Sequence, residues 1–199
     1  MMTFPVPEAI RARVFAHCES AYPEEACGIL VGPEMGAPDA VFPCANIQNA
    51  LHAADPAQHP RDARTAYRVD PADLFAVTRA IRGDGRVFKA IFHSHADVGA
   101  YFSDEDQRQA APRLTLSIPA FARGEGLPEA DVRARVAAGT LDGDLAVDKV
   151  SARMPTYPEL VYLVVDVTRG RARGWRGFFW DDAARGYTAI ALTDGNGDG

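Results

Sequence analysis

The chain has 199 residues, 47% of them hydrophobic and 24% charged, the proportions of a globular protein long enough to bury a core of its own. Its 21 basic and 27 acidic side chains leave a net charge of −6, which repels phosphate backbones and anionic head groups and argues against nucleic-acid and membrane-surface partners. No apolar run reaches the roughly 20 residues of a bilayer span, the first residues lack the basic and apolar regions of a signal peptide, and three cysteines with no CxxC pair suit a reducing compartment, so a cytoplasmic protein is expected.

From Val6 to about Ala21 the apolar positions Val6, Ile10, Val14 and Cys18 recur every four residues, which predicts a helix that Pro23 stops. Ala26 to Gly32 is an apolar run between prolines and reads as a buried strand, with Val41 to Ala45 as its neighbour. Asn46 to Ala63 is polar, carries Pro56 and Pro60, and is expected to be a long loop; Thr65 to Val69 reads as a strand. Asp70-Pro71 supplies the cap and first position of a helix whose buried stripe would be Leu74, Val77, Ala80 and Ile81. Val87 to Phe92 is an apolar strand that runs into His93-Ser94-His95, and a further helix begins at Ser103. Between about 112 and 155 the signals are weak, apart from an amphipathic piece near Pro128 to Ala138. Leu160 to Val167 is an apolar strand, Arg171 to Trp180 its hairpin partner and Tyr187 to Leu192 a last strand. Residues 195–199 have almost nothing to bury and are expected to be disordered. The order of elements predicts an α/β fold, a mixed β-sheet flanked by helices, in one domain over 1–194.

The chemistry-bearing residues lie around that histidine pair. Residues two apart on a strand share a face, about 6.6 Å apart along the chain, so His93 and His95 can converge on one metal ion. Seven residues later comes Ser103-Asp104-Glu105-Asp106. Ser with an acid three residues on is a helix cap that many helices use for stability alone. The same geometry puts Asp106 in the first helical turn, where it can face a metal held at the strand end. Two imidazoles and one carboxylate with an open fourth position form a ligand set of catalytic zinc sites, whereas structural sites are closed and rich in thiolates.

The combined string, His93-Ser94-His95, seven residues, Ser103, two residues, Asp106, resembles the signature of the JAMM metalloproteases of the MPN domain superfamily. That family adds an upstream glutamate in a Glu-x-Cys-Gly context, and this chain has Glu25-Ala26-Cys27-Gly28 before Ile29-Leu30-Val31. The resemblance implies an MPN/JAB fold with cytidine-deaminase-like layering and one zinc ion per chain, held by His93, His95 and Asp106. It implies Glu25 as general base and then proton donor to the leaving amine, and Ser103 as a hydrogen-bond donor to the developing oxyanion. The family spacing selects Glu25 over its neighbour Glu24, which would point to the opposite face. Ala96 stands where relatives often carry proline, which touches the shape of the loop beside the cleft but not the ligand spacing.

The implied activity is that of an isopeptidase or peptidase of the prokaryotic, stand-alone type, cutting after the C-terminal Gly-Gly of a ubiquitin-like or sulfur-carrier protein. Within that class the alternative is release of a single amino acid from a sulfur-carrier conjugate. The reading from another class is a non-catalytic scaffold, but scaffold members lack ligands that this chain keeps. The stretch of about 112–155 has no counterpart in the core pattern and reads as an insertion, either a substrate contact or a lid or part of a homodimer interface. Cys27 is expected to be a buried small hydrophobe rather than a nucleophile. Asp97 is expected to be a loop acid, and His17, His52 and His59 surface or locally satisfied residues.

Overall fold

The computed structural model describes residues 2–195. Its elements follow in the order β1 (Thr3–Val6), α1 (Glu8–Ala21), β2 (Cys27–Pro33), β3 (Ala40–Cys44), α2 (Gln48–Ala54), α3 (Pro71–Ala80), β4 (Arg86–Ala96) and α4 (Asp104–Ala110). There follow β5 (Arg113–Ser117), α5 (Ile118–Glu125), α6 (Glu129–Ala137), β6 (Gly143–Asp144), β7 (Lys149–Arg153), β8 (Val161–Thr168), β9 (Arg171–Asp181) and β10 (Gly186–Asp194). The chain forms two compact units, one of residues up to Phe102 with Glu159–Phe179 and the chain from Thr188 onward, the other of Ser103–Pro158 with Trp180–Tyr187.

Seven strands form one sheet in the order β1-β10-β9-β8-β4-β2-β3. It is mixed, as the sequence implies: β4 runs parallel to β8 and antiparallel to β2, while β1 runs parallel to β10. The central strands are apolar on both faces because helices cover both. On one face α1 sets Ile10, Val14 and Cys18 against Leu30, Ala90, Phe92, Leu163 and Val165. On the other, Val77 of α3, with Leu74 and Ile81, packs on Cys27, Ile29 and Val31. Ala80, expected in that stripe, is exposed. Gly28 is required by close approach: a Cβ there would lie 2.4 Å from the Phe92 ring and 2.6 Å from the Phe42 carbonyl oxygen.

Several local expectations are corrected. Val6 belongs to a strand and not to the first helix; it is buried opposite Asp194, and the helix starts at Glu8. The polar stretch 46–63 contains a helix, α2, whose single buried residue is Gln48. No apolar stripe announces it; polar tethers hold it, with Gln48 Nε2 donating to Arg61 O at 2.8 Å and Asn46 Oδ1 accepting from the backbone N–H groups of Gln48 and Arg68. Thr65 to Val69 is not a strand. Val69 makes an isolated bridge to Asn46, and the segment is pinned by Asn46 Nδ2 on Ala66 O. At the chain end Gly195 N donates to Val6 O at 3.3 Å, and 196–199 lie outside the described residues.

The second unit has its own small core. Strands β5, β7 and β6 make an antiparallel sheet, and Ile118, Phe121, Ala122, Val132, Val150 and Ala152 pack together beside it. The stretch with weak signals therefore holds five elements, of which only α6 is foreshadowed in the sequence. The strands are short and one-sided, but α5 carries the usual helix-boundary residues: Ser117 caps it through Ala120 N, a proline lies in its first turn, and Gly126 ends it at φ 66°.

Candidate metal centre

Alternation along β4 sends His93 and His95 to the face of Ile91, and Ser94 to the face of Phe92. All three are buried. Ser94 Oγ accepts from Ala26 N at 2.9 Å and Ser94 N donates to Ala26 O at 3.0 Å, which locks the start of β2 to β4. The paired register of β2 and β4 ends at Cys27 opposite His93, and Glu25 lies two residues before that end. Glu25 is buried. Its N–H donates to Ala63 O at 2.7 Å and its carbonyl accepts from Asn46 Nδ2 at 2.8 Å. Glu24 is exposed and accepts from Asn49 Nδ2.

The two imidazole Nε2 atoms are 3.2 Å apart. Zinc–nitrogen bonds of about 2.0–2.1 Å in a tetrahedral site separate two ligating nitrogens by about 3.3 Å, so the spacing fits one shared ion as well as it fits an N–H···N hydrogen bond. His95 Nδ1 lies 3.1 Å from Gly99 O. With Nδ1 as the donor, the lone pair sits on Nε2, which is the tautomer a metal ligand needs. Tyr67 stacks on His93 at 4.2 Å between ring centres, and Tyr101 meets the His95 ring edge-on at 4.9 Å. These aromatic walls restrict rotation of both rings.

Ser103 caps α4. Its hydroxyl donates to Asp106 Oδ2 at 2.7 Å and accepts from Asp106 N at 3.1 Å, while Ser103 N donates to the same Oδ2 at 2.8 Å. The capping box is complete, so the stability role weighed from the sequence is present. Yet Asp106 is only 4% exposed, unusual for an acid in a first helical turn. One ligand atom each from His93, His95 and Asp106 lies within 4.8 Å of the others. A buried group of two imidazoles and a carboxylate is a donor set suited to zinc, and ionisable groups gather in an interior where they are paired or hold a metal.

The other candidates are accounted for locally. Burial pushes the Cys27 thiol far above its usual range, and pushes Cys18 and Cys44 up to about 12. Thiols held protonated in this way are not nucleophiles. Asp97 accepts from Arg169 N and from the Tyr22 hydroxyl, each at 2.8 Å. These bonds hold its carboxyl below the usual range and fix the loop after β4. His17 Nε2 is 3.1 Å from Cys27 O and His52 Nδ1 is 2.6 Å from His59 O. Sequence reasoning missed Ser94, Asn46 and Tyr67 as residues that shape the site. The strand period marks Ser94, which must point away from its two histidine neighbours; nothing in the sequence marks Asn46.

The model of a family described as prokaryotic homologs of the JAB domain matches residues 7–137. The chain belongs to this family. It is an α/β protein with a mixed sheet, and no helix among the described residues is long and apolar enough to cross a membrane. A CysO-cysteine peptidase of Mycobacterium tuberculosis is 32% identical over 96 residues, 48% of this chain and 57% of the relative. The match thus spans little more than half the length of that curated relative. Two solved structures resemble the whole chain in fold. One, from Salinibacter ruber, has a TM-score of 0.55 at 17% identity, and the other, from Desulfitobacterium hafniense, 0.53 at 19%; each likeness covers 98% of this chain and 94% of the other.

Proposed function

We propose that this Prok-JAB domain is a zinc-dependent peptidase that hydrolyses the bond following the C-terminal Gly-Gly of a sulfur-carrier or other ubiquitin-like protein. The observation that carries the reading is the buried group of His93, His95 and Asp106, with Glu25 buried just before the start of β2. In this reading His93 and His95 would hold one zinc ion through their imidazole nitrogens, with a carboxylate oxygen of Asp106 as the third ligand. When bound, zinc polarises the scissile carbonyl and lowers the pKa of water towards 7. Glu25 takes the proton of the attacking water and returns it to the leaving amine. The Ser103 hydroxyl, which donates to Asp106 Oδ2 at rest, turns its hydrogen towards the oxyanion as charge develops there. A glycine pair suits the cleft because a tail without side chains can lie close beside the ligands. We read 1–194 as one catalytic domain carrying an insertion at about 112–155, and the protein as cytoplasmic.

The similarity to a CysO-cysteine peptidase favours, among possible leaving groups, a single amino acid over a lysine side chain of a second protein. Mass spectrometry of a Gly-Gly carrier extended by cysteine, compared with the same carrier joined to a lysine side chain, separates the two. Wild-type protein is expected to release cysteine. The Glu25→Gln variant is expected to keep its zinc and to lose activity by about 10²–10⁴-fold. Cleavage at the normal rate by that variant removes the general-base assignment, and cleavage of neither conjugate by the zinc-loaded wild type removes the proposed substrate class.

A further inference from the structure

Three arginines gather within the unit of residues 103–158 and 180–187. Arg113 on β5 and Arg153 on β7 stand directly opposite each other in the antiparallel register, and Arg185 donates from Nη2 to Arg153 O at 2.7 Å. With Thr140, Asp142 and Ser151 they line a cavity of about 250 Å³. Like charges on directly opposed strand positions destabilise the pairing, and the acids at hand are already engaged. Asp142 pairs with Arg113, and Glu125 with Arg185 at 2.6 Å. Arg153 pairs with no carboxylate among the described residues; its Nη1 donates to the neutral Gln107 Oε1 at 3.4 Å, a long bond. Arg185 is fixed in place, its guanidinium carbon 5.6 Å from the ring centres of both Phe121 and Trp180, and its Nε is buried without a hydrogen-bond partner.

The lining therefore carries three positive charges against one negative, and one guanidinium fork lacks a counter-charge. A cavity of this volume falls short of the roughly 300–1,000 Å³ of sites for whole cofactors, and it suits a single oxyanion group. We propose that this cavity is an anion-binding site that takes a carboxylate or phosphate group, held by the Arg153 fork with Arg113 and Arg185 beside it. Guanidinium forks match both groups in bidentate geometry. The site is independent of the metal centre and of the peptidase reading.

The test is a titration of the whole protein with inorganic phosphate and, separately, with acetate, at ionic strength held constant with chloride. Heat of binding and tryptophan fluorescence are followed, because Trp180 lies against Arg185. Saturable binding of at least one of the two anions is expected, and the stronger names the source of the ligand group. Arg153→Gln should weaken it at least tenfold, and Arg153→Lys, which keeps the charge but loses the fork, by less. Binding that ignores both substitutions, or a signal that follows ionic strength alone, overturns the proposal. So does the lack of saturation by either anion into the tens of millimolar. Should Arg153→Gln not fold, the Arg153→Lys and Arg113→Gln variants give the same reading, and unchanged binding in both is equally fatal.

Discussion

The sheet strands β2, β4 and β8 and the stretch from β5 to β7 both set strands beside helices, yet only the strands of the first region can be read from the sequence. The central strands have helices on both faces, so each is a nearly continuous apolar run, such as Val161–Val165 or Ile29–Val31, and stands out. Strand β5 is exposed along most of its length, and its partner β7 buries only Val150 and Ala152. Alternation over five residues is too brief to distinguish from chance. The lesson is that two-sided burial writes itself into sequence, whereas one-sided packing in a small unit does so faintly.

Truncation should sharpen this contrast. Phe92→Ala empties the centre of the large core under Gly28 and should cost about 3–5 kcal/mol, whereas Val132→Ala in the small core should cost roughly 1.5–3 kcal/mol. Chemical denaturation measures both. Equal losses, from the much smaller deletion at Val132, would mean that the small core is packed more tightly than the large one.

A smaller effect separates the two roles of Ser103. Ser103→Ala removes the cap of α4 and should lower stability by about 0.5–2 kcal/mol. If the hydroxyl also meets the oxyanion, turnover should fall by about 10²–10³-fold under conditions where the variant stays folded. A loss of stability with normal turnover assigns the residue to capping alone.

The smallest expected effect is at Asp97. Its folded pKa is lowered by the bonds from Arg169 N and the Tyr22 hydroxyl. Its contribution is therefore complete above the unfolded value of about 3.9 and is lost as pH falls through the folded value. Wild-type protein should melt above Asp97→Asn near neutrality, and the gap should close on acidification below about pH 4. A gap that widens in acid contradicts the assignment.

Much of the candidate site was legible for the same reason as the sheet. Strand period puts His93 and His95 on one face, and the cap at Ser103 fixes where Asp106 enters its helix. The choice of Glu25 over Glu24 needed the family pattern, since alternation alone does not say which face of a strand end is the inner one. The supports were hidden because they act through backbone atoms: Asn46 holds the Glu25 carbonyl and Ser94 holds Ala26 N–H, and such contacts leave no periodic trace. Helix α2 was hidden likewise, since polar tethers rather than an apolar stripe hold it.

The most direct test of the metal centre is zinc content by plasma mass spectrometry on wild-type protein and on Asp106→Asn, which removes the carboxylate charge while leaving an oxygen able to accept the cap hydrogen bond. About one zinc per wild-type chain, with most of it lost from the variant, is the expected result. No zinc in wild-type protein after reconstitution, or full occupancy in the variant, would contradict the assignment of His93, His95 and Asp106 as the ligands.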